Sequence, residues 1–206
     1  MRDLILIAGG SGSGKTEFCR FLLNRNPDFA LLSTDDYYVD RLNLTADELR
    51  LCNFDHPDSI DFAALTADVK SLLAGQDIPA RQYDFVRHHS FVQGVRHADF
   101  QVLIVEGIFA LYAANLRNMA AATAFVAADD ELRLRRRLER DGLERGRSVE
   151  SITTQYATQV RPMYNQFVAP TMQYANVVVD NNVNENMNAA FTAGEFELMK
   201  LLNKQE

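Results

Sequence analysis

Residues 4–18 read LILIAGGSGSGKTEF, and this stretch gives the strongest indication of the fold. The apolar run at 4–7 ends in glycines, which is typical of a buried strand rather than of a helix. Apolar side chains then recur at helical spacing from Phe18 onwards. The intervening GGSGSGKT at 9–16 matches G-x-x-x-x-G-K-[ST], a loop that turns backbone N–H groups towards phosphate oxygens at the start of a helix. The sequence therefore predicts a strand, a phosphate-binding loop and a helix.

This loop supplies the first candidate site residues. Lys15 is expected to bridge the β- and γ-phosphates of a bound nucleotide, and Thr16 to place its hydroxyl on Mg²⁺. The predicted ATP-binding residues of the loop are Gly10, Ser11, Gly12, Ser13, Gly14, Lys15 and Thr16. Kinases, GTPases, ATPases and nucleotide sensors all contain such a loop, so the rest of the chain has to distinguish among them.

Further strands and helices alternate along the chain. Buried strands are predicted at 30–33 and 102–105, and weaker ones at 125–126 and 177–179. Helices are predicted at 62–73, at 132–140, from Ser148 towards Pro170 with a kink or break at Pro162, and at 186–202. No repeat, low-complexity linker or domain boundary interrupts this pattern. We therefore expect one domain over residues 1–206, an α/β fold of the P-loop NTPase type with a doubly wound, mainly parallel sheet and helices on both faces.

The composition of the 206 residues narrows the class of protein. With 47% hydrophobic and 24% charged residues, the chain is globular rather than disordered. It has no apolar stretch near the roughly 18 residues of a membrane span and no signal-peptide pattern, so we expect a cytoplasmic protein without a membrane partner. A net charge of −7 argues against nucleic acid as a partner. Two cysteines and four scattered histidines argue against a structural zinc site.

One segment of this acidic chain is strongly basic. Seven arginines and three acids lie within residues 133–147. Such a cluster indicates a small, highly charged anion as ligand. Helical spacing places Arg133, Arg137 and Arg140 on one face. We expect the intervening Arg135 and Arg136 to be solvated surface side chains.

Several motifs, in the same order, resemble those of the uridine kinase family, whose relatives include phosphoribulokinase and bacterial pantothenate kinase. After the phosphate-binding loop come DDYY at 35–38, NFDHPD at 53–58, YDF at 83–85 followed by His88, and the spacing R-x-x-R-x-x-x-x-R-G-R at 137–147. The resemblance extends from the loop to about Val179. The sequence departs from the family pattern at His89 and Ser90, where the family usually has serine and arginine.

The resemblance implies a role for each matching residue. Asp35 corresponds to the base that accepts the proton of a sugar 5′-hydroxyl, and Asp55 to the carboxylate that holds the ribose 2′- and 3′-hydroxyls. Glu106, after the strand at 102–105, resembles the acidic residue that organises Mg²⁺. The other substrate-binding residues that the resemblance implies are Tyr38, Tyr83, Phe85, His88, Arg137, Arg147 and Gln155.

The resemblance also implies a mobile arginine lid over the nucleotide. Arg140 and Arg145 are expected on the ATP phosphates, carried by a lid at about 141–147 that hinges at Gly142 and Gly146. Two neighbours of the site residues are expected to be structural instead. Asp36 should cap a helix or lie in a solvated turn, and His56 should order its loop.

The implied function is an ATP- and Mg²⁺-dependent kinase that phosphorylates the 5′-hydroxyl of uridine or cytidine. The family resemblance further implies a homotetramer and feedback inhibition by pyrimidine triphosphates. The altered residues at 87, 89 and 90 leave other acceptors open, such as pantothenate, another nucleoside or a sugar. A nucleotide-binding regulator with decayed catalysis is a further alternative. An assembly or transport motor fits less well, because no sequence suggests a nucleic-acid channel or a partner domain.

Overall fold

A five-stranded sheet forms the centre of the protein. The computed structural model describes residues 2–182 and 187–203, without the side chains of residues 46, 50, 144 and 145. The strands are β1 (Asp3–Ala8), β2 (Phe29–Ser33), β3 (Ile78–Asp84), β4 (His89–Arg96), β5 (Val102–Glu106), β6 (Ala122–Ala127) and β7 (Val177–Asp180). Five of them pair in the order β2-β5-β1-β6-β7, and every pair is parallel. Strands β3 and β4 form a separate antiparallel hairpin.

Helices follow most strands. They are α1 (Lys15–Arg25), α2 (Ala46–Leu51), α3 (Phe62–Leu73), α4 (Ala114–Arg117), α5 (Asp130–Arg145), α6 (Val149–Gln155), α7 (Arg161–Met163) and α8 (Met187–Leu202). Ser148 caps α6 by accepting a hydrogen bond from the Ser151 amide, as predicted. Wide π-type turns at Tyr156–Val160 and Tyr164–Val168 flank α7, which contains Pro162. The predicted disturbance at this proline is therefore confirmed, because proline cannot donate the helical hydrogen bond.

Alternating side chains of the central strand build a core on each face of the sheet. Leu4 and Leu6 pack with α3 and with residues 164–175 on one face. Ile5 and Ile7 pack with α1 and α8 on the other face. A central parallel strand covered on both sides is buried along nearly its whole length, which explains the uniformly apolar run. The predicted doubly wound α/β fold is confirmed.

The carboxyl ends of the parallel strands meet at one edge, and this geometry positions the site. The phosphate-binding loop follows β1, Asp35 follows β2, and Glu106 ends β5. Helix α5 is longer than the sequence predicted and continues to Arg145, so Gly142 lies inside a helix. Gly146, with φ 61°, ends it in the left-handed conformation that favours glycine, so of the two glycines expected as hinges only Gly146 lies outside the helix. Among the described residues, no helix is long and apolar enough to span a bilayer.

Candidate active site

The loop between β1 and α1 forms a cradle for an anion. Gly14 caps α1 in the left-handed conformation with φ 92°, and Gly12 has φ 80°. A Cβ atom at Gly12 would collide with the backbone oxygen of Arg133, and one at Gly14 with the side chain of Asn181. Only glycine lets the backbone pass this closely. The buried side-chain amide of Asn181 donates a hydrogen bond from Nδ2 to the Ser13 backbone oxygen at 2.7 Å and so holds the loop from its other side.

A cleft of about 420 Å³ opens against this loop. Cationic side chains and the N-terminus of α1 make it suitable for a polyphosphate. Its lining includes the predicted Gly12, Gly14, Lys15, Thr16 and Arg140 together with Arg136 and Arg137. The predicted lid residue Arg145 lies at the end of α5, but its side chain is outside the described residues.

Arg136 is not the solvated surface residue that we predicted. It is half-buried, and its Nη1 donates to the backbone oxygens of Gly12 at 3.4 Å and Ser13 at 3.3 Å. Its Nη2 donates to the Asn181 oxygen at 3.2 Å. The planar guanidinium has enough donors to join three carbonyls, so Arg136 ties α5 to the loop. Arg135 is exposed, as expected.

Two carboxylates lie at the ends of adjacent strands beside the loop. The register pairs Ser33 of β2 with Glu106 of β5, and the Ser33 hydroxyl donates to Glu106 Oε1 at 3.3 Å. Glu106 is buried, and burial raises its pKa while the charge of Lys15 lowers it. Asp35 is exposed, and its backbone amide donates to Ser33 Oγ at 3.2 Å. The two acids therefore have different environments. Asp35 is open to solvent, whereas Glu106 is enclosed near Lys15.

The residues at this edge fit Mg²⁺. Glu106 Oε2 is buried and has no hydrogen-bond partner among the described residues. Thr16 begins α1 with Lys15 and lines the cleft. The part of the chain that the structure describes contains no group of three His, Cys, Asp or Glu able to hold a metal alone. That arrangement suits Mg²⁺, which proteins commonly bind through one or two carboxylates together with substrate phosphates.

Asp36 does not have the capping or solvated role that we predicted. Ser33 caps the turn after β2, and Asp36 is half-buried. Burial raises the pKa of Asp36 to about 6, Arg96 opposes the rise, and Asp35 and Glu106 add to it. Two adjacent acids in a sequence do not indicate which one the fold will enclose.

Five aromatic rings gather around Tyr38, three residues after Asp35. The Tyr38 ring lies 5.2 Å from that of Tyr83 and 5.6 Å from that of Phe85. His88 stacks on Phe54 with ring centres 4.6 Å apart and planes 19° from parallel. Such faces are suited to stacking a flat base. The structure therefore brings together the four predicted aromatic and histidine residues of the substrate site and adds Phe54 to them.

Asp55 lies between this aromatic group and the basic segment. Burial raises its pKa, the charge of Arg137 lowers it, and the charge of Asp35 raises it further. It also lines a small cavity beside the phosphate-binding loop. His56 has the expected structural role, because its Nδ1 accepts a hydrogen bond from the Asp58 amide at 3.2 Å.

Arg137 links three parts of the site. Its Nη1 donates to Ser11 Oγ at 3.0 Å, and its Nη2 donates to Gln155 Oε1 at 3.0 Å. Arg147 Nη1 donates to the same Gln155 oxygen at 2.7 Å. Asp141, which is completely buried, balances their charge. The predicted Arg137, Arg147 and Gln155 therefore form one connected network beside the loop.

A second cleft, of about 570 Å³, separates this network from the loop before α3. Of the predicted substrate residues, Arg147 and Gln155 line it. The rings of Tyr38, Tyr83 and Phe85 contact one another and are not among the residues that line this cleft. The other lining residues are Leu49, Cys52, Phe54, Ser148, Glu150, Ser151, Thr154, Thr158 and Gln159.

Sequence reasoning missed Phe54, Arg136, Asp141 and Asn181. Phe54 could have been found, because it directly precedes Asp55 within a motif that the resemblance already singled out. Asn181 follows a weak strand in a polar stretch, and nothing in its surroundings distinguishes it. Arg136 and Asp141 owe their roles to contacts across the fold, which spacing along one helix does not reveal.

The chain is similar to proteins of known family. The sequence matches the Phosphoribulokinase / Uridine kinase family over residues 4–188. It is 39% identical over 179 residues to a uridine kinase of Lactobacillus johnsonii, covering 85% of each chain. It is 40% identical over 182 residues to a uridine kinase of Streptococcus thermophilus, covering 87% of this chain and 86% of the relative.

The fold has a similar counterpart among solved structures. Phosphoribulokinase from Rhodobacter spheroides superimposes with a TM-score of 0.69 at 14% identity, covering 92% of this chain and 74% of the other. At that identity, the likeness concerns the fold alone. The family match and the two relatives confirm the resemblance that the motifs indicated. The chain belongs to the phosphoribulokinase/uridine kinase family.

Proposed function

We propose that this protein transfers the γ-phosphate of ATP to the 5′-hydroxyl of uridine or cytidine, with ADP and UMP or CMP as products. The observation that carries the proposal is the position of Asp35. Asp35 lies two residues after Ser33, which bonds to Glu106 at the phosphate-binding loop, and three residues before Tyr38 of the aromatic group. In agreement with this position, its charge raises the pKa of both Glu106 and Asp55. A carboxylate between a polyphosphate cleft and an aromatic site is where a kinase needs its base. The relatives named as uridine kinases support a pyrimidine nucleoside as acceptor.

The proposed chemistry is an in-line displacement at phosphorus. Asp35 accepts the proton of the 5′-hydroxyl as its oxygen bonds to the γ-phosphorus, and the bond to the β,γ-bridging oxygen breaks to release ADP. Lys15 and the loop amides hold the phosphates, and Thr16 and Glu106 hold Mg²⁺. The bound ion would neutralise charge on the phosphate oxygens.

The remaining residues orient the substrates. Asp55 accepts hydrogen bonds from the ribose 2′- and 3′-hydroxyls, and the aromatic group with His88 surrounds the base. Arg140 and Arg145 act on the ATP phosphates. Arg137, Arg147 and Gln155 act on the nucleoside side. Residues 1–206 would form one kinase domain, with residues 141–147 as its lid.

The other acceptors are less well supported. They were raised by the altered residues at 87, 89 and 90. His89 contacts Asp40, in the loop after Tyr38, through its ring Nδ1, and Ser90 donates to Asp40 through its backbone amide. The Arg87 backbone amide donates to Asp84 Oδ1. A decayed regulator is disfavoured because Asp35 and Glu106 are both present at the loop. We also propose a cytoplasmic homo-oligomer, a tetramer as in the family that the motifs resemble, with feedback inhibition by pyrimidine triphosphates.

The test measures ADP release from Mg·ATP with a panel of acceptors. The panel contains uridine, cytidine, adenosine, guanosine, pantothenate and ribose, with a control that lacks any acceptor. We expect turnover with uridine or cytidine and near silence without acceptor, because a kinase site excludes water as nucleophile. Turnover with another acceptor and neither pyrimidine would overturn the substrate assignment. Rapid ATP hydrolysis without acceptor would overturn the kinase assignment.

A further inference from the structure

The hairpin formed by β3 and β4 carries residues of the proposed nucleobase-binding site but is not part of the main sheet. Its second strand is largely exposed from Val92 to Val95. An isolated two-stranded hairpin is only marginally stable in water. Contacts with the rest of the protein must therefore determine where the hairpin tip, residues 84–90, lies.

Asp40 holds that tip by hydrogen bonds from its side chain. Its Oδ2 lies 2.6 Å from His89 Nδ1 and accepts a hydrogen bond from the Ser90 amide at 3.0 Å. Its Oδ1 accepts from the Leu42 amide at 2.8 Å, which orients the carboxylate. The next residue continues the connection, because the Arg41 amide donates to the His88 oxygen at 2.9 Å.

His88 is held in an unusual conformation by these contacts. Its φ of 53° is the only positive value for a residue other than glycine in the described ranges. A side chain in this left-handed region is strained, and the conformation persists only where the surroundings impose it. Its ring stacks on Phe54, which lines the larger cleft. Its Nδ1 is buried and has no hydrogen-bond partner among the residues that the structure describes.

We propose that Asp40 is a positioning residue that fixes the hairpin tip through His89 and Ser90, and thereby presents His88, stacked on Phe54, to the nucleoside. The inference rests on the proposed nucleoside kinase function. Asp40 acts through His88, and its side-chain hydrogen bonds among the described residues go to Leu42, His89 and Ser90, not to the phosphate-binding loop or Asp35. Its loss therefore weakens nucleoside binding and leaves ATP binding and the chemical step nearly unchanged.

A second His–Asp pair at the base of the same hairpin provides a matched control. His97 Nδ1 lies 2.8 Å from Asp77 Oδ2, and the Ala98 amide donates to Asp77 Oδ1 at 3.0 Å. Asp77 thus makes the same kinds of contact at the end of the hairpin away from the aromatic group. Asp77→Ala removes equivalent interactions and the same charge without releasing the tip.

The experiment compares steady-state kinetics of wild type, Asp40→Ala and Asp77→Ala with the acceptor that turns over fastest. For Asp40→Ala we expect KM for the nucleoside to rise about tenfold, since the two contacts that join Asp40 to the tip, with His89 Nδ1 and the Ser90 amide, are lost. We expect kcat and KM for ATP to change by less than about twofold. Asp77→Ala should match wild type in all three. An equal rise in nucleoside KM for Asp40→Ala and Asp77→Ala would overturn the proposal.

A double variant separates positioning from a general loss of stability. If Asp40 acts through His88, Asp40→Ala should add little to the nucleoside KM of His88→Ala, because contacting residues are coupled. Multiplicative effects would contradict the proposal. Where Asp40→Ala does not fold, Asp40→Asn keeps an oxygen for the Leu42 amide but removes the charge beside His89, and the same two comparisons apply. If wild type itself uses no nucleoside, the proposed function fails, which a wild-type control reveals before any variant is compared.

Discussion

Replacing Asp141 with asparagine should destabilise the protein, because this carboxylate is the buried counter-charge of the arginine network. Asp141 is fully buried, and its Oδ1 lies 2.8 Å from Arg140 Nη2. Its Oδ2 lies 3.4 Å from Arg137 Nε and 3.9 Å from Arg147 Nη1. Asp141→Asn keeps the shape of the side chain and removes its charge. The arginines then repel one another with less compensation, since Asp55 still acts on Arg137.

The size of the effect depends on which arginines can regain water. Removing one partner of a buried ion pair costs about 3–5 kcal/mol. The side chains of Arg140 and Arg147 are 38% and 29% exposed and can turn towards solvent, whereas that of Arg137 is 8% exposed. Arg137 keeps its hydrogen bonds to Ser11 and Gln155, so we expect about 2–3 kcal/mol. For a domain of this size, that corresponds to a fall in Tm of about 4–12 °C.

Urea and thermal unfolding followed by circular dichroism measure this loss, since the chain contains no tryptophan for fluorescence. Glu139→Gln is the matched control, because Glu139 is an exposed acid on the same helix and the net charge changes equally. We expect the control to stay within about 0.5 kcal/mol of wild type. If Asp141→Asn were no less stable than Glu139→Gln, Asp141 would not be the counter-charge of the network.

Three further predictions concern the site. Asp35→Asn should reduce turnover by about 10²–10⁴-fold while ATP binding, measured by calorimetry, stays close to wild type; unchanged turnover would exclude Asp35 as the base. Gly12→Ala should abolish ATP binding and lower Tm, because the added methyl would meet the Arg133 backbone oxygen. The control Gly142→Ala places its methyl in open space on a helix and should be neutral or slightly stabilising. Burial raises the pKa of Asp36 to about 6 from an ordinary value near 3.8, so the native state favours its protonated form and stability falls as pH rises between these values. Asp36→Asn should therefore raise the free energy of unfolding by about 1–2 kcal/mol near pH 8 and not near pH 4, and an equal effect at both would contradict this assignment.

Much of the fold and the identity of many candidate residues could be predicted from local patterns. The apolar run before the glycines and the helix over 62–73 agree with β1 and α3, because strand burial and helical spacing are properties of neighbouring residues. The resemblance of the motifs to the family indicated substrate-binding residues such as Tyr83 and His88, which the structure brings together. Helix α5 continued beyond its predicted end through Gly142, since a single glycine in a helix is a small cost that neighbouring contacts can offset.

The amino-acid sequence by itself determined the phosphate-binding loop, the alternation of strands and helices and the family motifs, because each depends on residues close together along the chain. Only the tertiary structure decided the strand order β2-β5-β1-β6-β7, which places Ser33 against Glu106. It also decided that Asp141 is enclosed by arginines and that Asp40 meets the hairpin tip. Burial and hydrogen bonding of a side chain depend on which distant segments meet it, and that information is not contained in local spacing.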